Sequence, residues 1–484
     1  MTNFDALAAR ALDTASARGA DYADVRFEDG RSERIEVRNG ALATLSDETS
    51  IGYGIRALRD GAWGFAASSD LSDAGLDETA ARAVAIAQAG AAVAARRFAE
   101  APSDRYVAEF ATPVIRDPAT VPLDRRVALL LDAERALRAT PQVRAGRAWI
   151  DLWRTDKCFY STTGSRIAQS ILQTGSGLWA LAAGEHDAQD RSYPGDVGLY
   201  QTGGWEIVEA AALGENAQRI GEEAAALLTA PQCPAGELDL ILGSSQVSLQ
   251  IHESCGHAAE LDRVMGWEAN FSGTSFLDPA QIGKLRYGSE RVTIEIDNLM
   301  PRGLATAAYD DEGARSVRSD IVRDGRLAGF EMSRDTARAI GRSTNACVRA
   351  SSWRSVPMVR MCNLNLVPGD VPFEALFEDV AHGIYMESNR SWSIDDHRLN
   401  FQFGCQIGWE IVNGKRGRMV KNPTYGGVTP AFWNACDAIA DRDSWVAWGT
   451  PNCGKGEPMQ TGRTTQAASP ARFRNVRIGV GYES

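Results

Sequence analysis

The chain has 484 residues, 44% of them hydrophobic and 24% charged, and a formal net charge of −12. That length exceeds one ordinary hydrophobic core and predicts two domains, while the composition is that of a soluble globular protein. The acidic balance, with no long run of Lys or Arg, argues against a broad phosphate-binding surface, so no nucleic-acid partner is expected.

No apolar stretch is long enough to span a membrane. The best candidate, residues 83–95, is alanine-rich and interrupted by Gln88. The opening residues lack the basic and apolar regions of a signal peptide. Eight scattered cysteines suit reduced thiols, and a cytoplasmic location is expected.

In chain order, Phe4, Leu7, Ala8, Ala11 and Leu12 follow helical spacing. Val25/Phe27 and Ile35/Val37 alternate as strands do, and Asp29-Gly30, Asn39-Gly40 and Asp60-Gly61 are hairpin-turn signals. A twisted antiparallel meander is predicted. Residues 77–97 read as a long alanine-rich helix, and Pro122 with Asp124 opens another that runs to about Ala139. Strands are predicted between 143 and 183, a polar loop over 185–204 and a helix over 206–229. Pro231 to Gly236 breaks the pattern and sets the predicted boundary between domains 1–230 and 236–484. Leu238 to Leu242 forms a short apolar strand. Further strands are predicted over 292–296, 358–367, 401–411 and 419–420, with a helix over 371–383. Strands and helices mix without regular βαβ alternation, which predicts an α+β fold.

The most informative residues are His252-Glu253-Ser254-Cys255-Gly256-His257, in a chain with five histidines. Imidazole is a common zinc ligand, and a carboxylate beside it can take a proton from a water that the metal activates. The familiar metalloprotease motif places its histidines four apart on one helical face. Here the separation is five, which on a regular helix leaves the rings roughly 140° apart. One π-type turn would return them to the same side, and Gly256 is placed to permit it. The sequence thus predicts a helix over about 245–264, widened near Cys255-Gly256.

Catalytic zinc usually keeps three protein ligands and one open position. Glu260 and Asp262 are candidates for the third, whereas Cys255 is expected to point elsewhere. Cys453 is the most suggestive. It sits in Gly449-Thr450-Pro451-Asn452-Cys453-Gly454-Lys455-Gly456-Glu457-Pro458, which reads as a tight irregular loop. Lys455 nearby would favour a thiolate.

His252-Glu253-x-x-x-His257 followed by Asn452-Cys453-Gly454-Lys455 resembles the TldD branch of the TldD/PmbA metallopeptidases. Gly52-Tyr53-Gly54-Ile55-Arg56, Gly61-Ala62-Trp63-Gly64-Phe65-Ala66, Tyr287-Gly288-Ser289, Tyr309-Asp310-Asp311-Glu312-Gly313 and Gly383-Ile384-Tyr385 resemble further family segments. The resemblance implies zinc (Zn2+) held by His252, His257 and Cys453, with Glu253 as the catalytic acid/base. It also implies a largely antiparallel, barrel-like second domain and unfolded or short peptides as substrates. The expected partner is a second copy or a TldE/PmbA-type subunit, a branch that lacks these ligands.

The expected chemistry is therefore zinc-dependent peptide hydrolysis, with recognition by backbone pairing to a sheet edge. His382, Tyr385, His397 and Arg398 are candidate oxyanion donors. His186, and the acids Glu387, Asp395 and Asp396, are read as solvated. Two other readings use the same residues: a hydrolase of a non-peptide amide, or a peptide-binding scaffold whose structural metal takes a fourth ligand such as Glu260. A thiolate ligand favours zinc over iron or manganese.

Overall fold

The computed structural model describes residues 4–94, 97–98 and 104–479. The predicted helix over 77–97 is Asp73–Val93, with Ser72 capping it by accepting the Gly75 N–H at 3.1 Å. Its expected continuation through 95–96, and the first three residues read for targeting, lie outside the described residues.

The first half is built on one long sheet in the order 62–68, 41–59, 22–38, 143–161, 166–183, 107–111. Asn39-Gly40 and Asp60-Gly61 are the turns, each residue with positive φ (50° and 82°, 50° and 76°). Asp29-Gly30 is not a turn. Strand Tyr22–Arg38 passes straight through it, with Gly30 paired to Ser50 on one side and Thr155 on the other. Pairing on both edges overrides a local turn preference. The predicted loop over 185–204 contains two strands, Ala188–Tyr193 and Leu199–Thr202, both paired to Arg166–Ala183. The predicted helix over 206–229 is two helices, Glu206–Ala211 and Leu213–Leu227, broken where Ala212 adopts φ 47°.

Helices Asp5–Ala17 and Asp73–Val93 cover one end of this sheet with Ala8, Ala11, Leu76, Ala80 and Ala83; Leu123–Leu137 and Leu213–Leu227 cover the other. Small side chains let the second helix approach the Ala62–Ser68 strand closely. A Cβ on Gly64 would lie 2.0 Å from the Ala83 carbonyl oxygen and 2.5 Å from the Ala87 nitrogen.

In the second half, five strands close on themselves. Gly236–Leu242 pairs with Ala471–Ile478, then come Thr424–Val428, Asn400–Val412 and His382–Ile394, which pairs back with Gly236–Leu242 in parallel. This is the expected α+β fold with a barrel-like second part. Strand alternation sends Leu240 and Leu242 into the main core with Phe403, Tyr425 and Phe473, and Ile241 into a smaller core with Leu376, Phe377 and Tyr385. A six-stranded sheet lies beside the barrel and ends in the pair Gln460–Ala468 and Val446–Lys455. The helix predicted over 371–383 is a single turn, Ala375–Glu378, because residues 382 onward belong to the barrel.

Gly64→Ala should destabilise the protein by about 1–3 kcal/mol, since rigid backbone meets the added methyl. Gly214→Ala meets nothing within 4 Å and sits in a helix, so it should be neutral or mildly stabilising. Denaturant unfolding of both variants checks this; equal effects would contradict it.

Candidate metal centre

The widened turn is present. Helix Ser244–Ile251 passes into a π-helical turn, His252–Gly256, and resumes at His257–Ala259. The His257 N–H bonds to the His252 carbonyl, five residues back. This draws the two rings together, with centroids 4.9 Å apart and planes at 86°. Neighbours take up the groups that the turn displaces. Tyr287 Oη donates to the Ser254 carbonyl (2.5 Å), Trp433 Nε1 donates to Ser254 Oγ (3.0 Å), and Ser254 Oγ donates to the Gln250 carbonyl (2.6 Å).

Gly256 serves this turn differently from the expectation. Its φ of −64° and ψ of −66° are open to any residue. The constraint is space: a Cβ would lie 2.6 Å from Sδ and Cε of the buried Met361. Nor does the helix run on to 264. Glu260 is extended (ψ 110°) and bridges to Glu331, before a separate short helix, Leu261–Val264.

Cys453 arrives on strand Val446–Lys455, not on a loop. The strand's register slips between Thr450 and Cys453, and such bulges re-aim side chains. Its Sγ lies 3.6 Å from His257 Nε2, and one ligand atom from each of His252, His257 and Cys453 falls within 4.8 Å of the others. All three residues are buried. Zn–N and Zn–S bonds of about 2.05 and 2.3 Å at tetrahedral angles separate a nitrogen and a sulfur by about 3.6 Å. The donor set therefore fits a zinc-sized ion.

Both imidazoles are held by their other nitrogen. His252 Nδ1 lies 2.9 Å from Gln466 Oε1, and His257 Nδ1 lies 3.0 Å from Glu260 Oε2. Gln466 Nε2 donates to Thr464 Oγ1 (3.1 Å), which orients its amide so that Oε1 accepts from the imidazole. Protons on both Nδ1 atoms leave both Nε2 lone pairs free for a metal. Glu260 is thus a partner of His257. Burial favours its neutral form, but Lys455, His257 and Arg263 outweigh that and hold it well below the ordinary carboxylate range.

Lys455 does not act on Cys453 as expected. It is fully buried, with Nζ 2.7 and 2.9 Å from the Asp262 carboxylate and 2.8 Å from the Val359 carbonyl. Asp262 is therefore committed to Lys455. The imidazoles favour the thiolate instead: burial opposes it, but His257 and His252 bring Cys453 well below the usual thiol range. In return, burial resists charge on His252, yet the Cys453 thiolate, Glu253 and Gln466 lift it to about 9.

Glu253 is buried beside His252, with Oε2 3.3 Å from Arg398 Nη1. Of the four candidate oxyanion donors, Arg398 alone is seen to touch the motif. His382 is exposed, His397 Nδ1 lies 3.0 Å from Thr274 Oγ1, and Tyr385 bonds Glu387. His186 is exposed, as expected. Asp395 accepts the Leu399 and Asn400 N–H groups, so it and Glu387 have separate partners and form no common site. Cys255 lies by Ser254, Tyr287 and Trp433, outside the group of three convergent ligand atoms, and burial lifts its thiol to about 12. Sequence reading missed Gln466: one amide in a threonine-rich strand, more than 200 residues from its imidazole, carries no local signal.

A cavity of about 370 Å³ opens beside Pro451 and Asn452, walled by Trp149, Trp153, Trp179 and Tyr200 from the first half.

Family models for the three PmbA/TldA metallopeptidase domains match in order: domain 1 at residues 23–87, the central domain at 116–230 and the C-terminal domain at 235–479. The chain belongs to the PmbA/TldD family of metallopeptidases. It is 30% identical to a metalloprotease of Methanothermobacter thermautotrophicus over 95% of each chain. It is 26% identical to the zinc metalloprotease TldD homolog of Saccharolobus solfataricus over 51% of this chain and 52% of that one. The crystal structure of TldE from Thermococcus kodakarensis has the same fold, with a TM-score of 0.71 at 13% identity over 98% of this chain and 100% of that one. Among the described residues, no helix is long and apolar enough to cross a membrane.

With His252 protonated below about pH 9 in the metal-free protein, zinc must displace that proton to bind. Affinity should therefore rise as pH increases toward 9, and about one proton should be released per ion at pH 7.5. Calorimetry in buffers of differing ionisation enthalpy reads the release directly. Binding without proton release at pH 7.5 would contradict this protonation pattern.

Proposed function

We propose that this family member is a zinc-dependent peptidase acting on unfolded or short peptides. His252, His257 and Cys453 hold the ion, and Glu253 is the general acid/base. The observation that carries this reading is the convergence of three buried donor atoms within 4.8 Å, both imidazoles being fixed through Nδ1. Three protein donors leave a fourth position open, as in catalytic zinc sites. Glu260, the candidate fourth ligand of a structural site, is already engaged with His257 Nδ1, which disfavours the scaffold reading.

Bound zinc would supply Lewis acidity, polarising the scissile carbonyl and lowering the pKa of a water. Glu253 accepts a proton from the attacking water and returns it to the leaving amine nitrogen, so its carboxylate is regenerated in each turnover. Arg398 orients Glu253 through the 3.3 Å contact. The imidazole–Gln466 and imidazole–Glu260 pairs keep the donor nitrogens aimed before substrate arrives.

Strand Val446–Lys455 is the last in its sheet; Leu199–Thr202 packs over its Ala447–Gly449 stretch, so an extended peptide would add to the remaining edge around Asn452, beside Cys453. Backbone pairing of this kind suits substrates without folded structure. The chain would work as a dimer, with a second copy or a TldE/PmbA-type subunit, in the cytoplasm. Within it, residues 236–484 carry the metal centre and residues 1–230 wall the approach to it.

Cys453→Ala should lose its bound zinc and its hydrolysis of an unstructured peptide. Glu253→Gln should keep the zinc and lose turnover by about 10²–10⁴-fold. Elemental analysis and a peptide-cleavage assay on both variants give the answer. Unchanged cleavage by Glu253→Gln would remove Glu253 from the reaction.

A further inference from the structure

A second group of metal-ligand side chains lies outside this centre. One carboxylate oxygen of Glu331 and the sulfurs of Cys347 and Cys362 fall within 4.8 Å of one another, and all three residues are at most 1% exposed. Cys347 directly precedes the strand Val348–Arg349, whose register with Met358–Val359 sets Cys347 opposite Arg360, two residues before Cys362. The Arg360 N–H closes the arrangement by donating to the Cys347 carbonyl at 2.8 Å.

Two buried polar atoms here are left over. Glu331 Oε1 accepts the Cys362 N–H at 2.8 Å, but Oε2 has no hydrogen-bond partner among the described residues. Asn298 donates to the Ala346 carbonyl at 3.0 Å and approaches Cys347 Sγ at 4.0 Å, while its own Oδ1 is unpartnered. A buried acceptor left unmet is destabilising, and such atoms call for an explanation. There is also a way in. A cavity of about 370 Å³ between the two halves of the chain is lined by Asn298, Ala346 and Cys362.

We infer that Cys347, Cys362 and Glu331 form a second cation site, taking a soft divalent ion such as zinc, with the Asn298 NH2 group facing the Cys347 sulfur. Two sulfurs with one carboxylate favour zinc over magnesium or calcium.

The site would brace the first centre. Met361, between Arg360 and Cys362, donates its N–H to Glu260 Oε1 at 3.2 Å, and Glu260 is the carboxylate that holds His257. Met361 also packs against Gly256 in the widened turn. An ion on Cys362 would anchor this segment from behind. The inference stands without the peptidase reading, because its test counts ions and does not measure hydrolysis.

The test uses the full chain with His252→Ala, His257→Ala and Cys453→Ser combined, which abolishes the first centre. This variant should still bind about one Co2+ per chain, with the intense near-ultraviolet absorption of thiolate–cobalt bonds. Adding Cys347→Ser and Cys362→Ser should abolish both. Circular dichroism checks folding, and Glu331→Gln in the wild-type chain, expected to lower metal content from about two ions to about one, guards against a misfolded multiple variant. The inference is overturned if the triple variant folds but takes up no cobalt, or if uptake survives the loss of both cysteines. It is also overturned if peptide mapping of denatured, unreduced protein, which has eight cysteines, finds Cys347 and Cys362 joined as a disulfide.

Discussion

The metal centre depends on one backbone hydrogen bond, from the His257 N–H to the His252 carbonyl. With that bond made one residue earlier, as in an α-helix, the rings would diverge around the axis and Cys453 could meet only one of them. The wide turn is held by Tyr287 and Trp433 bonding to Ser254, by the contact of Met361 with Gly256, and by the extended residue at Glu260 that ends the helix. Tyr287, Met361 and Trp433 come from distant parts of the chain, and Glu260 is held extended by its bridge to the equally distant Glu331. The motif is local in sequence, but the geometry that makes it useful is tertiary.

Around this turn lies a buried charged network that would be costly if incomplete. Glu260 is shared by His257, Arg263 and Lys455, and Lys455 is also paired with Asp262. Removing one partner of a buried pair typically costs about 3–5 kcal/mol, because the other charge is left uncompensated. Such a network is weak evidence for stability but strong evidence for fixed orientation. It sets the tautomer of His257 and, through Lys455 two residues beyond Cys453, ties the cysteine strand to the helix. Two supports that look unrelated in sequence are therefore one electrostatic unit.

What sequence could reveal followed from how local each signal was. Asn39-Gly40 and Asp60-Gly61 mark true turns because each joins two strands end to end, whereas Asp29-Gly30 is overridden by pairing to strands on both sides. The five-residue histidine spacing implied a π-type turn by geometry alone, and that turn is present. The sequence points to Gly256 for its backbone freedom, but its conformation is ordinary and its value is the missing Cβ, which only the position of Met361 reveals. Lys455 lies two residues from Cys453 in sequence, yet its partner is the distant Asp262, which that proximity does not reveal. Strands Ala188–Tyr193 and Leu199–Thr202 were hidden by polar composition. They lie against one long strand, Arg166–Ala183, that supplies their hydrogen bonds whatever their side chains.

The most direct measurement is an anomalous difference map at the zinc absorption edge from zinc-loaded crystals. The account predicts a peak about 2.0–2.1 Å from Nε2 of both His252 and His257 and about 2.3 Å from Cys453 Sγ, with no fourth side chain bound. A peak coordinated by Glu260, or one at the histidines with the Cys453 sulfur out of bonding range, would contradict it.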